Sequence, residues 1–303
     1  MNQDISICVL TENEMGWTEP FELDKVQILD NYYLSAQKSD IAFLKKMDTA
    51  RLLAGFRTTA GIDTKGVRPY GGWEDSLLGG HCVGHYLTAL AQAVKGTGDK
   101  ELKEKSQTLI AGLEECQKKL GTGFLFGAKV EDKEDVEKQF DILEGKKKGE
   151  TWVPWYNMHK VLAGLVDTYK YTGNETALLV AEKLGDWIYE RVSKWDLKTN
   201  QKVLETEYGG MNDCLYSYSH NKHHLEAAQK FDEKALFLMA AKGEKNCLDG
   251  KHANTQIPKF IGAIKRYNVL KQLGEAKQED EAYLVDAEKF FEMVVKRNSF
   301  VTG

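Results

Sequence analysis

Proline is scarce in this 303-residue chain, with 4 in all, which removes the commonest interrupter of helices. Cysteine is scarce as well. Cys8, Cys82, Cys116, Cys214 and Cys247 are odd in number and scattered, and no Cys-x-x-Cys pair occurs. Neither a disulfide framework nor a zinc knuckle is therefore expected. No run of about 18 apolar residues exists, so no membrane span is expected. Net charge is -5 with no basic block, which argues against a nucleic-acid partner. The first residues lack a basic stretch followed by an apolar one, so no secretory signal is read. With the unpaired cysteines, that points to a reducing cytoplasm. What remains is 42% hydrophobic and 29% charged, an ordinary globular composition long enough for a large core.

Residues 1–32 read as an extended lead-in, with a partly alternating stretch at 21–29 that suggests a short strand. Helical periodicity then takes over. A first helix is expected at 41–56. Helical pairs follow at 81–94 with 101–120, at 159–171 with 175–192, at 213–218 with 224–231, and at 257–273 with 279–295. Gly98, Gly173 and Gly274 stand at the turns, where glycine supplies the left-handed C-cap. Pro258 is placed in the first turn of its helix, where a missing N–H costs little. The stretches 61–80, 121–150 and 195–210 read as loops. Spacing is too irregular for a fixed-period solenoid. The expectation is an all-α fold: hairpins forming part of an (α/α)6 toroid over 33–303, with the lead-in packed on it.

Four short words carry the chemistry: His81-Cys82-Val83-Gly84-His85-Tyr86, Trp152-Val153-Pro154-Trp155-Tyr156-Asn157-Met158-His159-Lys160, Glu207-Tyr208-Gly209-Gly210-Met211-Asn212, and His252-Ala253-Asn254-Thr255-Gln256-Ile257-Pro258-Lys259. Each joins a polar group to aromatic residues or glycine at or near a helix start. Flat apolar faces plus many hydrogen-bonding groups suit a sugar. His85 precedes Gly98 by thirteen residues and His159 precedes Gly173 by fourteen. At about 1.5 Å per residue both stand roughly 20 Å from their turns. With His252 ahead of its own helix, the three imidazoles are expected to face one cavity. His81 and His85 share a helix face, but the spacing shows no third ligand, so a hydrogen-bonding pair is preferred to a metal site. Glu205 and Glu207 flank the Gly-Gly loop, two apart, and do not form an obvious acid/base pair. Asp213 reads as a helix cap. His220, His223 and His224 read as solvent-facing, and Cys82 and Cys214 as small buried hydrophobes.

In order, Gly84-His85-Tyr86, the helix start His159-Lys160-Val161-Leu162-Ala163-Gly164-Leu165, the Glu207 to Asn212 word and the His252 to Lys259 word resemble the β-L-arabinofuranosidases of glycoside hydrolase families 127 and 146. The resemblance runs from about residue 31 to the end. It implies a retaining exo-enzyme with an (α/α)6 toroid followed by β-sandwich domains. It also implies a cysteine thiolate nucleophile held on zinc by Cys and Glu ligands, and a separate glutamate as acid/base. By the same resemblance His85, His159 and His252 contact the sugar; Trp73, Trp155, Glu207, Asn212 and Asn254 are further candidate binding residues from their types and positions. The family's acid/base glutamate and zinc ligands come later than the stretch matching 300–303. No catalytic residue, metal ligand or cofactor is therefore expected within this chain, zinc being implied only through residues beyond Gly303. The expected partner is an arabinofuranose-containing glycan, with self-association through an open toroid edge. The rival readings are a non-catalytic carbohydrate-binding fragment and another α/α-toroid enzyme, such as a polysaccharide lyase.

Overall fold

Residues 20–218, 221–244 and 247–299 are described in the structure, a computed structural model. Among them there is no strand. The alternating stretch near residue 21 instead makes a single 3-10 turn, Leu23–Lys25. The helices are α1 (Asn31–Lys46), α2 (Thr49–Thr59), α3 (His81–Thr97), α4 (Lys100–Leu120), α5 (Lys138–Leu143), α6 (Pro154–Thr172), α7 (Glu175–Val192), α8 (Leu197–Leu204), α9 (Met211–Tyr216), α10 (Lys222–Gln229), α11 (Lys234–Ala241), α12 (Ala253–Gln272) and α13 (Glu281–Arg297). None of these helices is long and apolar enough to cross a membrane. The chain divides into two compact units, one ending at Trp187 and one beginning at Ile188.

Several boundaries differ from the sequence reading, each for a local reason. The helix expected at 41–56 is two helices. Asp48 breaks it, its carboxylate accepting from the N–H groups of Ala50 and Arg51 to cap α2. α6 starts five residues before His159, with Pro154 at its first position. α12 starts at Ala253, so Pro258 lies inside the helix rather than in its first turn. α9 is entered from Gly210, and Asp213 pairs with Lys265 at 2.6 Å instead of capping. Two of the expected loops hold the short helices α5 and α8.

In the first unit, α3 and α6 make the most extensive helix contact. They run in the same sense: His81 meets Tyr156, and further along Thr88 donates to Asp167 at 2.7 Å. Gly84 and Gly164 make the crossing possible. A Cβ on Gly84 would fall inside the Lys160 carbonyl, and one on Gly164 would lie 2.8 Å from the Gly84 Cα. Val83, Leu87, Leu90 and Ala91 of α3 are fully buried, and α4 covers α3 with Leu102, Leu109 and Leu113. Asp99 caps α4 through the N–H of Leu102. Gly98 and Gly173 close α3 and α6 in the left-handed conformation, as expected.

In the second unit α12 lies against α9 and α13, and α13 also packs on α11. Phe260 and Phe290 stack at 3.8 Å within a core that includes Leu236, Phe237, Ala263 and Met293. Buried charge threads this core. Arg266 donates to Asp232 at 2.8 Å and to Asp280 at 3.0 Å, and Tyr216 donates to Asp232 at 3.0 Å.

Candidate functional site

In the first unit the chemistry gathers at the starts of α3 and α6. The loop before α3 turns at Gly80, whose φ of +91° suits glycine alone, and a Cβ there would meet the Gly127 Cα at 2.8 Å. Leu78 packs with Val153 and Tyr156, and Asn157 donates to the Leu77 carbonyl at 3.2 Å. The loop is thus fixed to α6 as well as to α3. A continuous run of rings results. Trp73 lies 6.3 Å from His81, His81 lies 6.2 Å from His85 and 6.3 Å from Tyr156, and Tyr156 lies 6.5 Å from His159. Lys160 sits 4.7 Å over the Tyr156 ring. Trp73 is 67% exposed, whereas His81, Tyr156 and His159 are buried. His85 is exposed as well, so the group offers an open aromatic face and an open imidazole beside the buried rings of His81 and His159.

Electrostatics here turn on Glu74, which the sequence reading did not single out. Its carboxylate accepts from Gly80 N–H at 2.9 Å and Cys82 N–H at 3.2 Å, and faces His81 Nδ1 at 2.9 Å. Burial works to raise its pKa, but the hydrogen bonds from His81, Gly80 and Cys82 prevail and hold it below the usual carboxylate value. Burial, with Lys160 and His81 nearby, pushes His85 down to about 4, so its imidazole is neutral at pH 7. A neutral imidazole can donate to one hydroxyl and accept from another. Burial and Glu74 push the Cys82 thiol up to about 12. Cys82 is half-buried beside His81 rather than enclosed by apolar residues, unlike Cys214. Glu74, His81 and Cys82 form the one group of three metal-ligating side chains among the described residues.

In the second unit, Glu207 and His252 stand 3.6 Å apart, both substantially exposed. Under them lies a buried network. Lys259 donates to Glu233 at 2.6 Å and to Gln256 at 3.2 Å, and its ammonium sits 4.2 Å over the Tyr208 ring. Tyr208 donates to Glu233 at 3.3 Å, and Thr255 donates to the His252 carbonyl at 2.8 Å. Both chain segments that carry the Glu207–His252 pair are therefore braced by one ammonium. Burial lowers the pKa of Lys259 against the opposing pull of Glu233.

The structure thus brings Trp73, His85 and His159 into one group, and Glu207 and His252 into another, with Asn254 exposed just past the start of α12. Two candidates sit elsewhere. Trp155 is 1% exposed, its ring packed on Phe140 and Trp187. Asn212 is fully buried against Gly262, donating to Asp232 at 3.1 Å and to the Lys259 carbonyl at 3.0 Å. His224 is buried beside the Tyr218 hydroxyl at 3.3 Å, which corrects its solvent-facing reading. His223 is exposed and stacks on Tyr189. His220 and Cys8 lie outside the described residues.

A family model described as β-L-arabinofuranosidase, GH127 catalytic domain, matches residues 25–303. A GH127 β-L-arabinofuranosidase from Geobacillus stearothermophilus T6 superposes with a TM-score of 0.51 at 17% identity, over 90% of this chain and 43% of that one. The GH127 β-arabinofuranosidase BT3674 superposes with a TM-score of 0.54 at 15% identity, over 91% of this chain and 43% of that one. The chain therefore spans less than half the length of either solved enzyme, and the likeness is one of fold. No match was found among curated proteins. The all-helical fold and a match over most of its length place this chain in the GH127 β-L-arabinofuranosidase catalytic-domain family.

Proposed function

We propose that this chain forms part of the sugar-binding face of a retaining exo-β-L-arabinofuranosidase that removes terminal arabinofuranose from plant glycans. The observation that carries the reading is the ring group at the starts of α3 and α6: exposed Trp73 beside His81, His85, Tyr156 and His159. Trp73 offers an apolar face to a furanose ring. The neutral His85, with His159 behind it, offers donors and acceptors to hydroxyls whose contacts strengthen as charge develops. Glu207 and His252 supply a second polar pair of the same kind.

Cys116, Cys214 and Cys247 are buried, and the one group of three metal-ligating side chains among the described residues contains a single cysteine. Zinc would supply a deprotonated sulfur nucleophile in the whole enzyme, and the residues seen here bind and orient.

The test is binding of an aryl β-L-arabinofuranoside to the purified chain, followed by tryptophan fluorescence. Saturable quenching is expected, weakened about tenfold in Trp73→Ala and His85→Ala, as befits loss of a stacked ring or a hydrogen bond. No saturable binding, or unsaturated products released from a uronate polymer, would overturn the reading in favour of the lyase alternative. In the whole enzyme, His159→Ala is expected to lower kcat/KM by about 10- to 150-fold, the equivalent of roughly 1.5–3 kcal/mol.

A further inference from the structure

We propose that Glu74, His81 and Cys82 form a binding site for a zinc-class divalent cation, adjoining the sugar contacts and distinct from any zinc held by a cysteine-rich set. Their ligand atoms all lie within 4.8 Å of one another.

The tautomer of His81 follows from its neighbours. Nδ1 lies 2.8 Å from the Leu78 carbonyl and 2.9 Å from Glu74 Oε1. Both are acceptors, so Nδ1 carries the proton and Nε2 presents a lone pair. That is the arrangement in which a metal-binding histidine is held by a carbonyl or carboxylate on its far nitrogen. Nε2 in turn lies 3.6 Å from Cys82 Sγ. Two ligands on one tetrahedral zinc, at about 2.0 Å for nitrogen and about 2.3 Å for sulfur, stand roughly 3.5 Å apart. The pair is therefore already at the bite distance.

Glu74 completes the set. One N–H on Nδ1 faces two acceptors, so the Leu78 carbonyl can hold the ring while the carboxylate turns to the cation. Its remaining bond to Gly80 N–H keeps it in place. Three protein ligands leave a fourth position for water or for His85, whose neutral ring is 6.2 Å away. On binding, the Cys82 S–H bond breaks, sulfur bonds to the metal and the proton leaves to solvent. Carboxylate and thiolate together balance the two positive charges. The sulfur and nitrogen donors select a borderline-soft ion over magnesium or calcium.

The experiment uses the full chain stripped of metal. Cobalt(II) is titrated first and zinc second. One equivalent of cobalt should produce a thiolate-to-cobalt charge-transfer band, and zinc should abolish it by displacement. Cys82→Ser leaves the Glu74–His81 contact in place and should lose the band and weaken zinc at least 100-fold. Glu74→Gln should weaken it 10- to 100-fold. Far-UV circular dichroism establishes that each variant keeps its helices. Absence of the band with one equivalent of cobalt, or a band that survives in Cys82→Ser, overturns the site. Arabinofuranoside binding is scored in a separate assay, so failure of one reading leaves the other standing.

Discussion

His85 carries the most informative titration in the molecule. Its imidazole has a folded-state pKa near 4 against an ordinary value of 6.5, owing to burial, to Lys160 and to His81. The unfolded chain therefore binds a proton at His85 between those two values and the folded chain does not. Stability from this residue is complete above pH 6.5 and is lost as pH falls toward 4. The expected outcome is a His85 resonance midpoint near 4 by NMR, with His85→Gln flattening the decline in melting temperature between pH 6.5 and 4. A midpoint near 6.5 would show that the ring is solvated. A different residue sets a different scale of cost. Arg266 pairs with both Asp232 and Asp280 in the core of the second unit. Arg266→Met leaves the buried carboxylates of Asp232 and Asp280 without their cation. A loss of about 3–5 kcal/mol in urea unfolding is expected, the range for breaking a buried pair.

Among elements, α3 and α6 matter most. Asp99→Ala removes the capping bond at the start of α4 together with the Lys45 ion pair, and is expected to cost about 1–2 kcal/mol. Gly84→Ala forces a methyl into the Lys160 carbonyl of α6. It should cost more than the roughly 1–3 kcal/mol of ordinary overpacking, because a helix backbone cannot turn aside as a side chain can. Comparison of the two variants' urea midpoints decides the matter: equal losses would mean that the helices slide apart freely. The long elements were legible in the sequence. Apolar spacing with Gly98, Gly173 or Gly274 marked the three long pairs, and 175–192 matches α7 to the residue. Of the short ones, the stretches 213–218 and 224–231 overlap α9 and α10, whereas α5, α8 and α11 were not read. α5, α8 and α11 have six to eight residues, too few turns for a period to show. α6 was read late because its first turns are aromatic and polar, burying Trp155, Tyr156 and Asn157 alike. In the site, the imidazoles announced themselves by type and position. Glu74 and Lys259 did not, because what recruits them is a loop folded onto a helix start and a glutamate 26 residues away.

At the scale of the whole molecule, two compact units each own a core, one built on α3, α4 and α6 and one on α11, α12 and α13. Heat unfolding is expected to depart from a single two-state step, with a calorimetric enthalpy above the van't Hoff value and Arg266→Met shifting only one component. Coincident enthalpies and a single shifted peak would refute this. The crossing at Gly84 and Gly164 also bears on selectivity. Main chain touches main chain there, so the span between the imidazoles of His85 and His159 is gauged by peptide planes and not by the bulk of any side chain. Trimming Leu87 or Val161 would soften the protein yet leave that gauge unchanged. On the proposed sugar-binding reading, a ligand whose hydroxyls match the span would bind without rearrangement, and one that does not would meet a ruler where a more pliant pocket would offer a hand.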